Sequence, residues 1–168
     1  EDLVELGLVV GLAHLGLDAL DARFGRERVI GGTCSIAATL APDGAIVQLS
    51  DFGTITYGER DGARTPRIEA IDRLVEGAKF QPRASDIILT EMWEKWVFLA
   101  TLAGSTSLMR ATIGDIVAAP GGRDYVAGTY EECLAIARAS GVEPRDKVTA
   151  QARAMEQHLI KVMGLPEG

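Results

Sequence analysis

Residues 91–109 read EMWEKWVFLATLAGSTSLM, and the spacing within this stretch decides how the rest of the chain is read. From position 93 to 103 every residue except Glu94, Lys95 and Thr101 is apolar, with no glycine or proline until Gly104. A run of this length is a core helix rather than a strand. At about 100° per residue, Lys95 shares its helix face with Ile88, Glu91, Met92, Phe98, Leu99 and Leu102. Two readings follow for Lys95. As a partly buried ammonium it has a lowered pKa and donates to a carbonyl oxygen. As a surface residue it pairs with Glu91 four positions earlier, the favoured orientation for a helical ion pair.

Working outward, the pattern before residue 65 is strand-rich and the pattern after it is helical. A short helix over residues 11–24 stops at Gly25. RVIGGTCSIAATL and AIVQLSDF then flank APDG, a turn with proline at its second position and glycine at its fourth. A third run, GTITYGE, closes a small antiparallel meander, with the DFG at Asp51 read as a turn. Thr65 and Pro66 start a helix that runs to about Gly77. Ser85 starts the next, which carries Lys95 and stops at Gly104. GDIVAAPGG is a short element broken by Pro120. Helices over residues 123–140 and 144–163 end at Gly141 and Gly164. The fold class is α+β, predominantly α: a small antiparallel meander (1–64) followed by a helical bundle (65–168), expected to form one compact unit.

The composition is that of a globular protein, 47% hydrophobic and 24% charged, and the longest apolar run covers only residues 96–100. A net charge of −7 with no basic cluster argues against nucleic acid. The acidic opening EDLVELG is wrong for a secretory signal, so the expected compartment is the cytoplasm. Cys34 and Cys133 are read as buried thiols, and with His14 and His158 isolated no metal site is expected.

Among other polar candidates, Ser35, Ser105, Thr106 and Ser107 sit near turns and could bind a carboxylate or act as caps. Arg110 follows an apolar segment and could hold a substrate carboxylate bidentately or lie in solvent. Glu131 and Glu132, adjacent on a helix, point about 100° apart and do not form a two-carboxylate site. His14 is read as a packing or capping residue. There is no Walker loop and no G-x-G-x-x-G.

Three segments taken together resemble the ketopantoate reductase (2-dehydropantoate 2-reductase) family. They are LDALDARFGRERVIGGTCSIAATLAPDGAIVQLSDFGTITYGE, DIILTEMWEKWVFLATLAGSTSLMRATIGDI and YEECLAIARASGV, covering roughly residues 12–143. The W-x-K element at Trp93 and Lys95 carries most of the likeness. The resemblance implies an N-terminal Rossmann domain for NADP(H) and a C-terminal helical domain like that of 6-phosphogluconate dehydrogenase. It also implies a small 2-oxo acid bound between them. Lys95 would be the catalytic residue that polarises the carbonyl, with Ser105, Ser107 and Arg110 as weaker candidates on the substrate side.

The chain departs from the family pattern in several places. Leu99 and Ala103 stand where two asparagines follow the lysine, and Val10 precedes Gly11 where an Asn-Gly pair is expected. The nucleotide-binding segment, and the serine and acid that follow GVEP in the family, are not found. The chain is therefore expected to be a reductase's middle and C-terminal region without the Rossmann domain, inactive alone. It would work with that domain supplied elsewhere or as a homodimer. The alternative is a non-catalytic helical dimerisation or binding module.

Overall fold

The computed structural model describes residues 15–150. The chain divides into two compact units, Glu1–Met92 and Trp93–Gly168, the division falling within one helix.

The first unit opens on α1 (Leu15–Phe24), with Asp18 in its first turn and Arg23 in its last, both matched to the helix dipole. Gly25, at φ 87°, ends it where the sequence placed the stop; the predicted start at residue 11 and the neighbouring His14 lie outside the described residues. β1 (Gly31–Leu40) and β2 (Ile46–Gly58) form an antiparallel hairpin around the 41–45 turn. Gly44 takes φ 85° there, and Asp43 Oδ1 accepts the Ala45 N–H at 3.0 Å.

The course of the sheet differs from the expected meander. AIVQLSDF and GTITYGE are one 13-residue strand, so the DFG is not a turn. Ile36 pairs with Gly53 and Ala38 with Gln48, leaving residues 49–52 opposite position 37 alone. A large bulge thus absorbs the irregularity that Gly53 signals. The third strand is β3 (Gln81–Ala84), which pairs with β2 in parallel. QPRA gave no strand signal because Pro82 and Arg83 are poor strand residues, tolerated where the strand is an edge.

Two helices cover opposite faces of the sheet's base. On one face the Tyr57 hydroxyl donates to Asp72 of α2 (Pro66–Leu74), beside Ile68, which is 2% exposed. On the other lies Ile88, 1% exposed, at the start of α3 (Ile88–Met109). Gly58 is required at this junction, because a Cβ there would stand 2.1 Å from the Ser85 carbonyl oxygen. Among the described residues the far end of the hairpin has no such cover. Cys34, Ile36, Ala38 and Leu40 alternate onto one face, and Ile46 pairs with Leu40 on the same side. Ile36 is 43% exposed and Ile46 81%.

The second unit is helical. α3 does not stop at Gly104 but continues to Met109. A single exposed glycine costs a helix only about 1 kcal/mol, and the hydroxyls of Thr101 and Thr106 fold back on the carbonyls of Val97 and Leu102. The stop is Arg110, in the left-handed region at φ 51°, with the Ala111 N–H closing back on the Thr106 carbonyl at 3.3 Å. Thr112 caps α4 (Ile113–Ala118) by accepting from Asp115 N. α5 (Gly122–Ala139) ends in the same type of closure, Val142 N to Ala137 O, at Gly141 as expected. Residues 146–150 begin one more helix, and the rest of the predicted 144–163 helix, including His158, lies outside the described residues. Val97, Ile116, Val117, Leu134 and Ala137 are each 5% exposed or less and form the core of this unit. The architecture is therefore α+β and predominantly α, with a small sheet followed by a helical region.

Candidate functional site

In the second unit α3 presents two stripes. Glu94, Val97, Thr101 and Ser105 recur at helical spacing and are 5%, 1%, 6% and 0% exposed. The neighbouring stripe, Lys95, Leu99, Leu102 and Thr106, is half-buried. Lys95 thus sits at the margin of the helical core. Trp93 and Trp96 bracket it in sequence and meet edge to face, 5.3 Å between ring centres at 76°.

The other three candidates fall elsewhere. Ser105 lies about 15 Å along α3 from Lys95 at 1.5 Å per residue. It is fully buried, and among the described residues its Oγ meets no hydrogen-bond partner. Ser107 and Arg110 are exposed. Helix geometry alone keeps these residues from converging with Lys95 on one small substrate. Arg110 serves instead as the left-handed residue that ends α3.

One feature of this region escaped the sequence reading. Glu94 is clamped by Arg145, 51 residues away. Its Oε1 accepts the Arg145 backbone N–H at 2.8 Å and Nε at 2.9 Å, and its Oε2 accepts Nη2 at 2.6 Å. Glutamate beside lysine in WEKW looks like ordinary surface polarity, and nothing in the local spacing names a partner so distant.

The first unit holds a different electrostatic cluster. Glu59, 7% exposed, accepts from Arg67 Nε at 2.6 Å, from Arg67 Nη2 and from the Thr65 hydroxyl at 2.6 Å. The Arg67 guanidinium holds its carboxyl down to about 2. Burial, with the hydrogen bond to Asp72, pushes the Tyr57 phenol up to about 12. The Arg60 guanidinium pairs with Asp21 and lowers its pKa. Glu91 accepts from Arg83 at 2.8 Å, and that guanidinium also reaches Thr56 Oγ1 at 3.2 Å. An open cleft here is lined by Arg26, Arg60, Arg67, Glu27, Glu59 and Asp61. Three arginines face three carboxylates, so it has no net pull on an anion. Among the described residues no cluster could hold a metal ion, and no helix is long and apolar enough to cross a membrane.

Residues 87–164 match the model of the ketopantoate reductase PanE/ApbA C-terminal family. The helical part of the chain is similar to that family's C-terminal domain. A Bacillus subtilis protein described as the uncharacterized oxidoreductase YkpB is 34% identical over 125 residues, 74% of this chain and 41% of the relative. The 2-dehydropantoate 2-reductase of Geobacter metallireducens superposes with a TM-score of 0.70 at 28% identity, over 91% of this chain and 50% of that one. The 2-dehydropantoate 2-reductase of Porphyromonas gingivalis gives 0.74 at 18% identity, over 90% and 52%. The chain thus spans 41% of the curated relative's length and about half that of these solved structures. Lys95, Glu94 and Arg145 all fall within the matched segment, whereas the Glu59–Arg67 cluster lies before it.

Proposed function

We propose that the chain is the helical, substrate-side part of a nicotinamide-dependent reductase acting on a small 2-oxo acid, with Lys95 as the group that polarises the carbonyl. The observation that carries this is the position of Lys95. It stands half-buried at the edge of an apolar helical core, within the segment shared with the ketopantoate reductases. In such a setting an ammonium donates to a carbonyl oxygen and stabilises the alkoxide that develops on reduction, more strongly than it would in water. NADPH is the expected reductant and ketopantoate the first acid to try.

One glycine pair among the described residues is a candidate for a dinucleotide cradle. The glycine pair that opens α5 is packed shut, since a Cβ on Gly122 would stand 1.6 Å from the Ile116 carbonyl oxygen. That backbone cannot cradle a phosphate in the manner of a glycine-rich helix start. On this reading the reductant is held by a partner nucleotide-binding domain or by a second copy in a homodimer.

A second reading, a helical binding module without chemistry, is favoured by Leu99 and Ala103 following Lys95 and by the scatter of Ser105, Ser107 and Arg110. The test is NADPH oxidation with ketopantoate and a panel of other 2-oxo acids by the chain joined to the N-terminal, nucleotide-binding part of a 2-dehydropantoate 2-reductase, beside Lys95→Met and with NADH in parallel. The reductase reading expects turnover that drops roughly a hundredfold or more in the variant. Turnover that survives Lys95→Met removes Lys95 from the chemistry. No turnover from a folded chain with any acid leaves the silent module.

A further inference from the structure

Glu94 is an unusual neighbour for a working lysine. It is 5% exposed, it faces the core stripe of α3, and its carboxylate is satisfied by a single distant residue. The contact with the Arg145 backbone is the informative one. Val148 N and Thr149 N donate to the Arg145 carbonyl at 2.9 and 3.2 Å, which makes Arg145 the residue that begins the helix at 146–150. The N–H of a starting residue is commonly taken by a glutamate or glutamine three positions on, within the same helix. Here that position holds Val148, which cannot accept. Glu94 fills the role from α3, and the Arg145 side chain returns over the same carboxylate as a two-pronged clamp.

A buried ion pair adds little stability over a well-packed apolar pair, and its best attested use is to fix a register. We propose that Glu94 is a positioning residue for Lys95. By holding both the backbone N–H and the guanidinium of Arg145, it locks the 146–150 helix start onto α3 and sets the turn from which Lys95 projects. Adjacent helical residues point about 100° apart, so a carboxylate pinned into the core directs the next side chain toward the core's margin. The proposal rests on the reading of Lys95 as the substrate residue.

Trp93 and Trp96 lie on the same turn, and their edge-to-face contact gives an exciton signal in circular dichroism that reports the geometry of that turn. The experiment compares Glu94→Gln, Arg145→Ala and Arg145→Lys at a temperature where the helical signal shows each folded. Glu94→Gln keeps one acceptor for the Arg145 N–H and so serves as the milder variant. The expected result is a tryptophan couplet reduced by about half or more in Glu94→Gln and Arg145→Ala, and mostly restored in Arg145→Lys. Once Lys95→Met has been shown to abolish reduction, the same variants should lose kcat roughly tenfold with little change in KM. An unchanged couplet in both charge-breaking variants, with only the melting temperature lowered, overturns the proposal and leaves a simple staple. A reduced couplet alongside an active Lys95→Met would instead overturn the reading of Lys95 and leave the clamp's hold on the turn intact.

Discussion

Glu59 at the base of the sheet and Glu94 in the middle of α3 are both nearly sealed from solvent, at 7% and 5% exposure. Each is held by an arginine that is itself about two-fifths exposed. Glu59's arginine is eight residues along the chain, across one loop. Glu94's arginine is 51 residues away, beyond α4 and α5. The chemistry of the two clamps is the same, but the length of chain they close is not. A local clamp shapes the loop it belongs to and can relax with it. A distant one joins elements that have no other covalent reason to be near each other, and its carboxylate has nowhere to go when the partner is lost.

The scale for that difference is set by changes that break either region outright. Gly58→Ala forces a Cβ into the Ser85 carbonyl, and Gly122→Ala forces one into the Ile116 carbonyl. Neither obstacle is a flexible side chain. Each variant should lose about 3 kcal/mol or more in denaturant unfolding; a loss under 1 kcal/mol would mean that these close approaches are absent in solution.

Next come the two clamps. Arg145→Ala should cost about 2 kcal/mol and Arg67→Ala about 1 kcal/mol, since only the former strands a carboxylate that no loop movement can expose. Equal costs would erase the distinction between the local and distant pairs. Acid probes the local clamp. The folded pKa of Glu59 is depressed from 4.5 to about 2, so its contribution is complete above 4.5 and is lost as pH falls toward 2. Urea midpoints measured across that window should fall in the native chain and fall less steeply in Glu59→Gln. A parallel decline in both would assign the acid sensitivity to other groups, Asp21 first among them.

The smallest expected effect concerns Ser105. Its hydroxyl is buried and meets no partner among the described residues, so Ser105→Ala should leave stability unchanged or raise it by up to about 1 kcal/mol. Any change in 2-oxo acid binding by that variant would restore Ser105 as a substrate residue.

What the sequence disclosed followed the range over which its signals act. Gly25, Gly141, the APDG turn and the Thr65-Pro66 start were legible because each is decided by a few adjacent backbone angles. Gly104 misled because helix continuity on both sides outweighed one residue's propensity, and Arg110 supplied the stop that glycine usually supplies. The single long β2 was hidden because a bulge and a turn carry the same glycine signature at Gly53. β3 was hidden because its pairing with β2 comes from 27 residues away in the chain. At the candidate site, Lys95 stood out as a charge in an apolar run. Its neighbour Glu94 carried the same signal, but its meaning depended on Arg145, which no local pattern links to it.

The outer end of the hairpin has a practical consequence. β1 is an edge strand among the described residues, and beyond the bulge its apolar face stands open, with Leu40 at 47% exposure and Ile46 opposite it at 81%. A flat, greasy strand edge of this kind recruits copies of itself as concentration rises. Light scattering should therefore grow steeply with concentration, and a lysine at Ile46 should suppress it without altering either compact unit.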